Sequence, residues 1–184
     1  TPDAASSPRD LYQAGRYQET VDRVAALRAE GGAGPADIWL MGQSLAKLNR
    51  DAEARDAFAS LGGSEDDPWT LVGRSAAAVL DGDLDAALGH ARAAVERAPE
   101  AFHPNMQLGL VQTLRNDFGG ASAALEKAAQ IDGADAYAHY YAGLAASKLR
   151  RTDRMIAHFE AFVRLAPEAP ERPTVETLLR TVKR

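Results

Sequence analysis

Gly109 precedes Gly143 by 34 residues, Ala87 precedes Ala121 by 34 and Leu125 precedes Phe159 by 34, while Pro99 and Pro167 stand on either side of Gly133 in one column at the same spacing. Gly15, Gly42 and Gly82 fall into the same scheme, allowing for one unit that is a residue short. A fixed period of this length, with two helical patterns in each unit, constrains the fold more than any other feature. One helix pair cannot bury its apolar face alone, so successive pairs must stack and share a core. The period predicts an all-α solenoid of antiparallel helix pairs.

Five units follow from the alignment: 1–34, 35–67, 68–101, 102–135 and 136–169, with a final segment 170–184. Each complete unit reads as a first helix (A) of about a dozen residues, a short turn and a second helix (B) of similar length. Helices this short are marginal alone in water, so packing must hold them. Gly15 and Gly82 suit the left-handed residue that ends helix A, Asn49 and Asn116 are its usual substitutes, and Arg150 departs from the pattern. Asp51, Asp83, Asp117 and Thr152 lie where an oxygen caps the start of helix B. Pro35 and Pro68 read as first helical residues, and Pro99 and Pro167 as stops after helix B. Gly42, Ser75, Gly109 and Gly143 on A helices are expected to face Ala54, Ala87, Ala121 and Met155 on B helices, keeping the axes close.

The ends need separate treatment, because a terminal repeat leaves an apolar face open. Val175, Leu178, Leu179 and Val182 fall on one face of a short amphipathic helix, a C-terminal cap over 170–184. Segment 1–8 reads as flexible, leaving 9–169 as the repeat domain. The first unit is incomplete because Pro8 interrupts its helix A, and the expectation is an open N-terminal face available for self-association.

Composition agrees with a folded helical chain, at 46% hydrophobic and 26% charged residues. The chain has no cysteine, which excludes disulfides and thiol chemistry. No apolar run approaches the length of a membrane-spanning helix, so membrane insertion is not expected. The net charge is −5, with no continuous basic stripe, which argues against nucleic acid. Charge is nonetheless uneven: residues 136–184 hold nine Lys or Arg against five Asp or Glu. Lys148, Arg150, Arg151 and Arg154 form a cluster read either as a solvated inter-helix loop or as a patch for an acidic partner. The first residue is Thr and the opening is small and polar, like the start of an exported protein; arginine outnumbers lysine seventeen to four, as in GC-rich bacteria.

Leu108-Gly109 in helix A, Gly15 with Tyr17 and Phe118 at turns, and Ala121, Leu125 and Ala128 along helix B resemble the tetratricopeptide-repeat pattern, from about Pro8 to Pro167. Arg74, Asn105, Gln112 and His139 depart from it at columns that are usually apolar. In the third unit Trp69, Val72 and Gly73 also permit a register shifted by two residues. The resemblance implies that helix A lines a concave groove through its second, fifth, ninth, twelfth and thirteenth positions. Those positions carry Trp39, Gln43 and Lys47, then Trp69 and Val72, then His103, Met106 and Thr113, then Tyr137, Tyr140 and Lys148, with Tyr141 alongside. Trp and Tyr supply large contact area at low entropic cost, so the cluster reads as a binding groove, against the alternative of packing between repeats. The lysine and asparagine clamp that some members use for a peptide carboxylate is missing: Trp39, Gln43, Gly73, His103 and Gln107 stand there.

Catalytic constellations are not found. Ser44 lies inside helix A without the second glycine of a nucleophile elbow, and Gly31 to Gly34 lack the Lys-Ser or Lys-Thr of a phosphate loop. His90 and His158, or His103 and His139, lack a third metal ligand at matching spacing, and no cofactor is expected. The expected function is a non-enzymatic scaffold holding another protein or peptide segment in a bacterial multiprotein assembly, either in the periplasm or cell envelope or in the cytoplasm, the exported setting being preferred. The alternatives are an accessory repeat region of a larger enzyme and a groove for a small molecule, glycan or lipid. Replacing Trp39, Tyr137 and Tyr140 together is expected to abolish partner capture and leave the helical signal intact.

Overall fold

The computed structural model describes residues 6–182, which form eleven helices and no strand. They are α1 (Pro8–Gln13), α2 (Tyr17–Ala29), α3 (Pro35–Lys47), α4 (Asp51–Ala59), α5 (Pro68–Leu80), α6 (Leu84–Arg97), α7 (Phe102–Leu114), α8 (Phe118–Ile131), α9 (Ala136–Lys148), α10 (Thr152–Leu165) and α11 (Arg172–Val182). The first ten pair as antiparallel hairpins, and each hairpin packs on the next. Residues 1–5 of the expected flexible segment, and Lys183 and Arg184 of the cap, lie outside the described residues.

All five A-to-B turns carry the left-handed residue: Gly15, Asn49, Gly82, Asn116 and Arg150, with φ between 56° and 76°. Arg150, at φ 56°, has no Cβ-free backbone to relieve the conformation. Arg150→Gly is therefore expected to stabilise the fold by about 0.5–1 kcal/mol, read as a higher urea midpoint with an unchanged slope. No change, or a loss, would show that the arginine side chain offsets its own strain.

Helix starts follow two rules. Asp67, Asp83, Asp117 and Asp135 each accept a hydrogen bond from the amide three residues on, at 2.9–3.0 Å. Asp51 and Thr152 do not cap as expected; they are first helical residues after Arg50 and Arg151, and the charge of Asp51 acts on the helix dipole instead. Helix α4 is shorter than the other B helices, ending before a turn at Gly62 with φ 74°.

The glycine column works by a different pairing from the one expected. A Cβ on Gly42 would lie 2.3 Å from the Phe58 ring, one on Gly109 2.4 Å from Leu125, and one on Gly143 2.5 Å from Phe159. The glycines thus admit the bulky residue four positions beyond the predicted alanine or methionine, because helical side chains lean back towards the N-terminus of their own helix. In the third unit this position is Ala91, and Ser75 fits, its hydroxyl donating to the Ala87 carbonyl at 2.9 Å. Ser75 at the crossing places this unit in the unshifted register.

The first unit is not left open. Gly15 sits beneath Pro170, where an added Cβ would come within 2.7 Å of the ring. Arg9 pairs with Asp132, and the Tyr12 and Tyr137 rings stand 5.2 Å apart. Pro8 begins helix α1 rather than breaking it, with Ser7 as a capping-box residue. The superhelix is tight enough for the first hairpin to meet the fifth unit and the loop before α11. At that end Val175 and Leu179 pack with Phe159 and Phe162, whereas Leu178 and Val182, expected on the same buried face, remain about 40% exposed.

Candidate functional site

Successive A helices pack closer together than successive B helices, so α1, α3, α5, α7 and α9 line the concave side. The upper rungs of that face, the second and fifth helical positions, meet across the hollow. Trp39 stands edge-on to His103 at 5.2 Å, and Trp69 lies 4.5 Å from the same imidazole. Tyr137 touches Tyr12, Tyr140 and Phe162, and its hydroxyl donates to Glu171 at 2.9 Å. Trp39, Val72, Met106 and Tyr137 retain 4%, 0%, 2% and 2% of their exposure. These four expected groove residues are therefore interior, and Trp39 and Tyr137 belong to an internal aromatic plug, because superhelical closure brings the side chains of α3 against α7 and of α1 against α9. Trp69, His103 and Tyr140 are half-buried around it.

The plug is held neutral. Burial, with the Arg9 charge adding to it, lowers His103 to a pKa of about 4. Burial likewise raises the phenols of Tyr12, Tyr137 and Tyr141. Arg9, the cation beside this cluster, is balanced by Asp132 and, at 3.9 Å, by the buried Asp135.

The lower rungs do not meet. Between the C-terminal halves of the A helices a cavity of about 170 Å³ remains, lined by Gln43 and Ala46 of α3, Ala76 of α5, Gln107 and Thr113 of α7, and Tyr141 of α9. Small residues on α3 and α5 create the space. Leu114, 52% exposed, stands at its rim and is the most exposed large apolar residue among the described residues. Three of the expected groove residues, Gln43, Thr113 and Tyr141, are thus brought together. Lys47 ends α3 in solvent, and Lys148 lies over the Phe118 ring at 5.9 Å. In the neighbouring basic cluster Arg154 pairs with Glu126 at 2.9 Å.

Sequence reasoning missed Tyr12 as a plug residue and Gln107 as a cavity residue. Tyr12 is the fifth residue of α1, a position already assigned to the groove in other units; Gln107 is a polar residue amid apolar neighbours. The His139 and His158 pairing, with Nδ1 atoms 3.1 Å apart, was also missed because it lies within one hairpin. Among the described residues no group of three or more His, Cys, Asp or Glu could hold a metal. Among them, too, no helix is long and apolar enough to cross a membrane.

Neither a protein-family model nor a curated protein matches the chain. Solved structures do. TTC0263, a thermophilic tetratricopeptide-repeat protein of Thermus thermophilus, superposes with a TM-score of 0.66 at 18% identity, over 94% of this chain and 93% of that one. This chain has the tetratricopeptide-repeat fold. YrrB, a protein of the same fold described as having an unusual peptide-binding site, matches over 91% of this chain and 87% of its own, with a TM-score of 0.57 at 15% identity. The first tetratricopeptide-repeat domain of Spaghetti (RPAP3), solved with the HSP90 peptide SRMEEVD, covers 66% of this chain and 96% of its own, with a TM-score of 0.57 and 15% identity. In the present chain, ring contacts fill the upper part of the hollow that the fold encloses.

Proposed function

We propose that the chain is a non-enzymatic scaffold whose concave face holds a segment of a partner protein, and that the segment seats on the lower rungs rather than on the aromatic plug. The observation that carries this reading is the apolar cavity open beside Leu114, on the face that the solenoid curves around. The peptide bound to one structure of the same fold, and the peptide-binding site described for another, support it. The setting we propose is a bacterial multiprotein assembly, supported by the arginine-rich composition.

A photo-crosslinking residue placed at Leu114 is expected to trap a defined protein adduct in native extract, whereas one at the exposed Arg92 of α6 should not. The Leu114 adduct should disappear when Ala76→Leu fills the cavity. Adducts from Arg92 alone, or a Leu114 adduct indifferent to the filled cavity, would overturn the assignment.

A further inference from the structure

We propose that His139 and His158 form a two-imidazole site for a late first-row divalent metal ion, held most tightly as Cu(II), with water filling the remaining positions. The site uses no residue of the plug or of the lower-rung cavity, and it does not rest on the scaffold reading.

Geometry carries it. His139 is the fourth residue of α9 and His158 the seventh of α10, and their hairpin brings the two Nδ1 atoms within 3.1 Å. The ring centroids are 5.3 Å apart with the planes at 44°, so the imidazoles meet corner to corner rather than stacked. Imidazole nitrogens sit about 2.0–2.1 Å from a bound metal. Two nitrogens at this separation then subtend an angle of about 100° at a shared ion, between the cis angle of a square-planar site and the tetrahedral angle. Both rings are half-buried and Gly133 beside them is exposed, so a hydrated ion reaches the pair from solvent.

The protons are placed to suit. His139 Nε2 lies 3.3 Å from the Gly133 carbonyl oxygen, which has no proton to give, so Nε2 donates and Nδ1 of the neutral ring keeps its lone pair. A backbone carbonyl behind an imidazole is the contact that fixes the tautomer of metal-binding histidines. Burial lowers both pKa values, and for His158 the neighbouring ring adds to it, so the pair is neutral at neutral pH. The charges around it balance: Glu126 and Arg154 act on His158, Asp135 and Arg164 on His139. In the metal-free chain His158 therefore donates from Nδ1 to His139. When an ion binds, that proton passes through water to His158 Nε2, both Nδ1 lone pairs turn to the metal, and no net proton is released. Imidazole suits Cu, Ni and Zn, and affinity in that series peaks at Cu(II). Among the described residues no third side chain completes the site, which makes it an exchangeable site rather than a closed structural one.

Cu(II) titrated into the full chain at neutral pH, followed by calorimetry and electron paramagnetic resonance, tests the site. The expected result is one ion per chain, with hyperfine coupling to two imidazole nitrogens. His139→Gln and His158→Gln should each bind at least about 100-fold more weakly, the advantage of two linked ligands being lost. The double variant should bind about as weakly as either, and His90→Gln, on α6, as tightly as the wild type. The wild-type spectrum decides without any variant: coupling to a single imidazole, or no saturable binding of Cu(II), overturns the proposal. Binding that survives both single variants, or that is lost in His90→Gln, does so too.

Discussion

Tyr137→Ala is expected to destabilise the chain by about 3–5 kcal/mol, the range for emptying a large aromatic site in a packed interior. Tyr137 keeps 2% of its exposure and its ring is shared by Tyr12 of the first unit and Phe162 of the fifth. Tyr137→Phe removes only the hydroxyl bonded to Glu171 and should cost about 1–2 kcal/mol. Urea unfolding followed by far-ultraviolet circular dichroism measures both. A cost below about 1 kcal/mol for the alanine variant would mean that the plug is loosely packed. The expectation that Trp39, Tyr137 and Tyr140 can be removed together without harm to the helical signal is therefore withdrawn. Two of the three are interior residues, so lost capture in that variant would report lost structure.

The second large effect is acid sensitivity. In the unfolded chain an imidazole takes up its proton near pH 6.5, whereas His103 in the fold does so only near pH 4. The unfolded state thus binds more protons between those values, and stability falls as the pH drops from 6.5 towards 4. The contribution is fully present above pH 6.5, and its loss is up to about 3 kcal/mol. Arg9 deepens the shift and Asp132 opposes it, burial being the main cause. His139 and His158, both lowered by burial, act in the same direction. Comparing unfolding free energies at pH 7 and pH 4 for the wild type and His103→Phe isolates the contribution of this imidazole, since the carboxylates titrate in both. The phenylalanine variant should lose up to about 3 kcal/mol less on acidification. An identical pH dependence would mean that His103 is already hydrated in the fold.

The features legible in the sequence are those that one or two helices decide. The left-handed turn column from Gly15 to Arg150 and the close approach at Gly42, Gly109 and Gly143 are local demands, and each demand selects its residue type. Even there the bulky partner was misplaced by one helical turn, because spacing does not show which way a side chain leans. What lay beyond reach was curvature. Which rung of α3 meets which rung of α7 depends on small rotations accumulated over three units, and no spacing along the chain encodes their sum. The same residue types at the second and fifth positions therefore read as an open groove, when closure turns them into interior. Gln43, Thr113 and Tyr141 stayed accessible because Ala46 and Ala76 leave the space between the lower rungs unfilled. The contact between His139 and His158 likewise exists only once α9 and α10 are packed.

In an open array of repeats each pair answers only to its neighbours, and melting frays inward from whichever extremity is weaker. Here Gly15 lies under Pro170 and Arg9 reaches Asp132. The first hairpin leans on the loop before α11 and on the end of the fourth unit, so it is not free to peel away by itself. Such a chain behaves as a hoop rather than a spring: it resists stretching, it gives way as a whole, and trimming the last loop loosens the first helix.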